Sequence, residues 1–151
     1  MDVRTFIEWV DIDGYIKVTS QFQVYLFTLL MLRFRKRLIP ANCDVKCVDS
    51  TIINRTYYSS YLFCQRWLLE VHGHELKSKK EFSKGTKFIT EHSQVRRALK
   101  KYGQKSLSTI LFKLAQLKNK ADYYPYVKLT NDDLHDAIGY MESIFQGLNF
   151  D

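Results

Sequence analysis

The sequence predicts one all-α domain, built as an up-and-down bundle of four to five helices. In several segments apolar residues recur at the spacing of a helix, and no segment alternates convincingly as a strand does. The chain has 151 residues, of which 46% are hydrophobic and only two are prolines. That composition suffices for one continuous core, and no shift in it indicates a second unit, so residues 1–151 are predicted to form a single domain.

The first long helix is predicted to begin at Thr19 or Ser20, whose side chains can cap free N–H groups, and to end before Pro40. Residues 1–18 show no clear period and are predicted to form a short helix or turn that leads into it. The apolar run at residues 24–32 is about half as long as the roughly 20 residues of a membrane span. It therefore predicts a buried helix and no membrane partner.

A second helix is predicted to begin at Asp49 or Ser50 and to end near His72, because Gly73 follows. The polar and basic segment 73–90 is predicted to be a connection. Helical spacing selects a core-facing side of the second helix, which comprises Tyr58, Tyr61, Leu62, Gln65, Leu68 and Leu69.

Two further helices are predicted over about residues 92–102 and 105–122. The final helix has the clearest signal, because Thr130 and Asp133 have the spacing of a capping box. Its apolar positions keep the helical period and are Leu134, Ala137, Ile138, Met141, Ile144, Phe145 and Leu148.

Charge is distributed unevenly along this basic chain, whose net charge is +7. Residues 77–105 contain ten Lys or Arg against two Glu, a balance of +8, whereas residues 131–151 contain five acids and no Lys or Arg. Cations interleaved with aromatic side chains are typical of sites for single-stranded nucleic acid. The alternative interpretation, a solvated helix face and loop, stays open.

The commonest enzyme signatures are absent from the sequence, which has no Gly-rich phosphate loop, no GxSxG elbow and no HExxH. His72 and His74 have only Glu75 nearby, and Cys43 with Cys47 lacks a second ligand pair, so neither a metal nor another cofactor is expected. The N-terminal residues do not resemble a secretion signal. The protein is therefore expected to be cytoplasmic.

A dense group of polar and aromatic residues lies at 117–126, between the last two predicted helices. Asp122 has the spacing to pair with Lys118, one helical turn earlier. Two interpretations of the tyrosines in this segment stay open. They cover the end of the bundle, or they bind phosphate and base together with Lys118, Asn119 and Lys120.

Three segments, in order, resemble parts of the HEPN domain family in its short stand-alone form. Residues 54–69, which begin Asn-Arg-Thr-Tyr-Tyr-Ser, are similar to the family's Ser-Arg-x-Tyr-Tyr-Ala helix. Residues 117–123, Leu-Lys-Asn-Lys-Ala-Asp-Tyr, are similar to its Leu-Arg-x-Lys-Ala-Asp-Tyr helix end. Between them, residues 90–97, Thr-Glu-His-Ser-Gln-Val-Arg-Arg, resemble the family's Thr/Ser-x-His-Ser/Lys segment. The resemblance covers about residues 50–148 and leaves residues 1–45 uncovered.

This resemblance implies an all-α bundle, often a homodimer, that binds RNA or nucleotides. In many members the domain is a metal-independent endoribonuclease toxin beside a nucleotidyltransferase antitoxin. Nuclease members carry an Arg followed four to six positions later by a His, whereas here Lys118 replaces the Arg and no His follows before Tyr126. Arg66 and His72 have that spacing, but they lie at the end of the second predicted helix and not at the corner that carries the motif in the family.

The leading hypothesis is therefore an RNA- or nucleotide-binding module of a toxin–antitoxin or defence system, with a degraded ribonuclease motif. One alternative is an active endoribonuclease that uses Lys118, Asp122 and His92 across a dimer interface. Another is a structural subunit that binds a nucleotidyltransferase. The residues expected to bind nucleic acid are Arg55, Tyr58, Arg96, Arg97, Lys100, Lys101, Lys118, Asn119, Lys120 and Tyr123.

Overall fold

The computed structural model describes residues 26, 28–33, 35, 45–78, 89–123 and 126–148. Within these ranges helices are the regular secondary structure and there is no strand, which confirms the predicted all-α bundle. Four helices have defined bounds: α1, Val45–His72; α2, Glu91–Lys101; α3, Lys105–Tyr123; and α4, Asn131–Gly147. Residues 28–33 are also helical. The expectations for Thr19, Ser20, Pro40, Cys43 and most of segment 73–90 lie outside the described residues.

Helices α1 and α3 form the centre of the bundle, because each contacts the other three helices. Contact on three sides buries a wider surface than one helical stripe. Tyr61 and Leu68 are buried as predicted. The prediction for Leu69 was wrong, since its side chain is 49% exposed. The buried side chains of α1 that the predicted stripe omitted include Ile52, Ile53, Tyr57, Cys64 and Trp67.

The predicted start of α1 was also wrong, because the helix already includes Val45. Asp49 lies inside the helix, only 3% exposed, where it accepts a hydrogen bond of 2.6 Å from Nη2 of Arg35. Ser50 donates to the carbonyl of Ala121 on α3 at 3.3 Å. Both side chains bind other parts of the fold rather than free N–H groups at a helix start.

Helices α2 and α3 lie within one residue of their predicted bounds. The Thr90 side chain caps α2 by accepting from the backbone N–H of Ser93. Gly103, between the two helices, has a φ of +83°, a backbone conformation that residues with a Cβ rarely adopt. This turn sets α2 against α3, which it contacts along the bundle.

The predicted capping box at the start of α4 is confirmed. Oγ1 of Thr130 accepts from the backbone N–H of Asp133 at 3.1 Å, and the Asp133 carboxylate accepts from the backbone N–H of Thr130 at 2.7 Å. Both oxygens of Asp133 also lie 2.8 Å from Nζ of Lys120. The start of α4 is thereby attached to the end of α3.

Replacing Thr130 with alanine is expected to lower the free energy of unfolding by about 1 kcal/mol, because the cap loses its hydroxyl acceptor. Urea denaturation measures the change. Ser143→Ala is the control, since this exposed hydroxyl lies inside α4 and donates to the carbonyl of Gly139. An equal effect of the two substitutions would contradict the stabilising role of the cap.

A single cluster of buried apolar side chains joins the four helices. It includes Leu99 of α2, Leu111 and Leu114 of α3, and Met141 of α4, each at most 1% exposed. No helix in the described part of the chain has both the length and the apolar composition of a membrane span.

Candidate nucleic-acid-binding site

Residues from α1 and α3 meet at a polar cluster near the end of α3. Nδ2 of Asn54 donates to both carboxylate oxygens of Asp122, at 3.2 and 3.0 Å. Nζ of Lys118 lies 2.9 Å from Oδ2 of the same carboxylate, so the predicted pairing of Lys118 with Asp122 is confirmed. Asp122 therefore holds the ammonium group of Lys118 in place while its own position is set from α1.

Two tyrosine rings flank the ammonium group of Lys118. Its Nζ lies 6.0 Å from the ring centroid of Tyr58 and 4.9 Å from that of Tyr123. Burial opposes the charge of Lys118, but the hydrogen bond and the charge of Asp122 outweigh it, so the pKa of Lys118 is raised. Lys118 is a fixed cation between aromatic faces, and the ring of Tyr123 is largely open to solvent, at 68% exposure.

His92 of α2 lies next to this cluster, close to Tyr58. The Tyr58 and His92 ring centroids are 6.4 Å apart, and a hydrogen bond of 2.8 Å joins the Tyr57 hydroxyl to Nδ1 of His92. Burial lowers the pKa of His92, and the charges of Lys118 and Arg96 add to this effect. At neutral pH the ring is therefore a neutral imidazole.

Five side chains thus lie together at this end of the bundle. We call Tyr58, His92, Lys118, Asp122 and Tyr123 the Lys118 surface.

Because the pKa of His92 is lower in the folded chain than in the unfolded one, acid is expected to destabilise the fold. The unfolded chain binds the proton first, so stability is complete above about pH 6.5 and falls as the pH drops below it. Urea midpoints at pH 7.5 and 5 measure the loss. In His92→Gln the loss becomes smaller, whereas His135→Gln, at an exposed site on α4, leaves it unchanged. An unchanged loss in His92→Gln would contradict this assignment.

Arg55 and Asn54 line a cavity of about 500 Å³ between α1 and the end of α3. Asp122 forms part of the opposite wall, so the cavity adjoins the Lys118 surface. The Arg55 side chain is exposed there. The other lining residues are Lys46, Cys47, Ser50, Thr51 and Ala121.

The remaining residues predicted to bind nucleic acid lie at four other places. Arg96, Arg97 and Lys100 line a second cavity, between α2 and α3. Lys101 lies over the ring of Tyr102, with Nζ 5.1 Å from the centroid. Lys120 is paired with Asp133 as described, and Asn119 is exposed on α3. The structure thus brings Tyr58, Lys118 and Tyr123 together with His92 and Asp122, whereas Lys101 and Lys120 each contact a different partner.

His72, which is exposed, and His74, which is partly buried, both pack on Tyr102. The His72 ring is stacked on it at 4.0 Å between centroids, and His74 meets its edge at 5.7 Å. Among the residues that the structure describes, no group of three or more side chains has the arrangement of a metal site.

The sequence-based predictions missed two residues. Asn54 donates a hydrogen bond to Asp122, and Phe112 lines the second cavity, between α2 and α3. Asn54 lies one position before the predicted Arg55, but its partner Asp122 is 68 residues away. Phe112 directly follows the buried Leu111 on α3 and is 44% exposed. Its position outside the apolar face of the helix could have been recognised from the helical period.

Comparison of the chain with protein-family models, curated proteins and solved structures finds no match in any of the three.

Proposed function

We propose that this protein is a HEPN-type module that binds single-stranded RNA through the Lys118 surface. One observation carries the proposal: the three segments that resemble HEPN proteins contribute neighbouring side chains to one surface. Asn54 comes from the first segment, His92 from the second, and Lys118 with Asp122 from the third. These segments are far apart in the sequence, and nothing in a helical bundle requires their polar side chains to meet.

The chemistry of the Lys118 surface suits a nucleotide. A lysine ammonium attracts a phosphate as a point charge, and exposed tyrosine rings offer faces on which bases stack. Tyr123 is 68% exposed, and Tyr126, three residues later, is 99% exposed. By the same resemblance, we propose that the module acts in the cytoplasm as a homodimer, beside a nucleotidyltransferase antitoxin in a toxin–antitoxin or defence system.

Fluorescence anisotropy with labelled single-stranded RNA tests the proposal. We expect binding that weakens with salt, with a slope of about −0.7 in log K against log salt for each phosphate contact. Absence of binding, or binding that does not depend on salt, would contradict the function.

Replacing Asp122 with asparagine is expected to tighten RNA binding by about three- to fivefold, because Lys118 loses the carboxylate that offsets its charge. The new amide oxygen still accepts from Asn54, so the geometry is kept. Asp136→Asn, an exposed position on α4, makes the same change in net charge and is the control. If both substitutions tighten binding equally, only the total charge matters and the Lys118 surface is not the site.

Metal-independent RNA cleavage is a second candidate, favoured by the neutral imidazole of His92 close to the cation Lys118. A neutral imidazole can take the proton of a ribose 2′-hydroxyl as that oxygen attacks the adjacent phosphorus and the bond from phosphorus to the 5′-oxygen breaks. The product is a 2′,3′-cyclic phosphate, the leaving 5′-oxygen takes a proton from the imidazolium or from water, and a nearby ammonium stabilises the extra negative charge of the transition state. Incubation of the protein with total RNA in the presence of a chelator tests it. Cleavage that is lost in both His92→Ala and Lys118→Ala supports the activity, and intact RNA with the wild-type chain rules it out.

A further inference from the structure

A groove of about 350 Å³ lies between α2 and α3. The hydroxyl of Ser108 on α3 donates to the carbonyl of Arg96 on α2 at 2.8 Å and holds the two walls together. The groove contains three cations and no carboxylate. Its lining residues are Ser93, Arg96, Arg97, Lys100, Ser108, Thr109 and Phe112.

The positive charge of this α2–α3 groove is not offset by ion pairs within the described residues. The four ion pairs found there use cations outside the groove: Arg35 with Asp49, Arg66 with Glu70, Lys118 with Asp122, and Lys120 with Asp133. Several cations that converge on a cavity without acids attract an anion more strongly than the same charges do when each is paired. The charge of the groove therefore fits phosphate groups.

Phe112 gives the groove an aromatic wall. Its ring is 44% exposed, and the guanidinium carbon of Arg96 lies 4.8 Å from the ring centroid. Neighbouring apolar residues of α3 are buried, for example Leu111 at 1% and Leu114 at 0% exposure. An open aromatic face beside cations is the combination that binds a base and its phosphate in single-stranded nucleic acids.

The groove adjoins the Lys118 surface along α2, because Arg96 of the groove lies one helical turn after His92 and its charge acts on the His92 ring. Lys100 is eight residues beyond His92, or about 12 Å along the helix axis. A phosphate bonds only to side chains whose polar atoms lie within about 3 Å of its oxygens. A ligand that occupies the groove and the Lys118 surface together is therefore expected to carry more than one phosphate.

We infer that the α2–α3 groove is a second contact site for the same RNA strand, so that the ligand is a single strand of several nucleotides rather than a mononucleotide. The groove binds backbone phosphates through Arg97 and Lys100 and stacks a base on Phe112. This inference rests on the proposed function and adds the length and the path of the ligand.

Lys100→Glu tests the phosphate contacts, with Lys113→Glu as a control that makes the same change in net charge on an exposed residue outside the groove. For RNA of about twelve nucleotides, we expect Lys100→Glu to weaken binding about fivefold or more and to reduce the salt slope by about 0.7. For RNA of about four nucleotides the loss is smaller, and thermal melts check that both variants fold.

Equal losses in Lys100→Glu and Lys113→Glu, or equal wild-type affinity for the two RNA lengths, would overturn the inference and leave the proposed function standing. Failure of the wild-type chain to bind RNA of either length would instead overturn the proposed function, and the inference with it.

Phe112→Ala tests the stacking contact independently of charge. Loss of one stacked base is expected to weaken binding of the longer RNA by about fivefold or more. Leu69→Ala is the control, because this apolar side chain on α1 has a similar exposure, 49%, outside the groove. Equal affinity of Phe112→Ala and the wild-type chain for the longer RNA would remove the base contact from the inference.

Discussion

Replacing Asp49 with alanine is expected to lower the free energy of unfolding by about 3 kcal/mol, the cost of removing one partner from a buried ion pair. Asp49 is 3% exposed and its carboxylate takes two hydrogen bonds from Arg35, one of 2.6 Å to Nη2. Without it, the guanidinium group of Arg35 remains only 23% exposed and has lost the oxygens that compensate its charge. For a chain of this size the melting temperature should fall by about 6–12 °C.

Two further variants show whether the loss of stability comes from the broken ion pair or from removing a carboxylate from a helix. Asp136→Ala also removes a carboxylate from a helix, but at an exposed position, and we expect a change within about 0.5 kcal/mol. Replacing Arg35 and Asp49 together by methionine and leucine removes both charges and should recover most of the stability, because no charge is then left unpaired. A double variant as unstable as Asp49→Ala would show that packing, rather than charge, sets the cost.

The helices were predictable because their signals are local. Thr130 and Asp133 are three residues apart, and the period of α4 follows directly, so the capping box and its helix were both correct. Asp49 also preceded an apolar stretch and was therefore mistaken for a cap. Its actual partner, Arg35, is 14 residues away, and no local pattern encodes a pair at that distance.

The predictions for the candidate site also succeeded where the signal is local and failed where the partners are far apart in the sequence. The pair of Lys118 and Asp122 lies within one helical turn and was predicted from spacing alone. The hydrogen bond from Asn54 to Asp122 spans 68 residues and depends on how α1 packs against α3. The position of His92 depends on α2 in turn, so its nearness to Lys118 could not be obtained before the bundle was assembled.

Replacing Lys118 with glutamate is expected to weaken the binding of single-stranded RNA by about 30-fold, or about 2 kcal/mol. The substitution removes the cation held 2.9 Å from Asp122 and places a second carboxylate one turn from the first, so two negative charges would face the phosphate. Anisotropy titrations at one fixed salt concentration measure the change. Circular dichroism checks that the end of α3 remains helical.

Comparison with Lys113→Glu distinguishes the local contribution of Lys118 to RNA binding from the effect of the total charge. Lys113 lies on the same helix, and its Nζ is 5.9 Å from the ring centroid of Tyr140 on α4, away from the Lys118 surface. Both variants change the net charge equally, so long-range attraction falls equally in both. A difference of tenfold or more between them therefore measures local contact at Lys118. If the two lose the same affinity, the chain attracts RNA only through its overall charge, and the Lys118 surface is part of the scaffold.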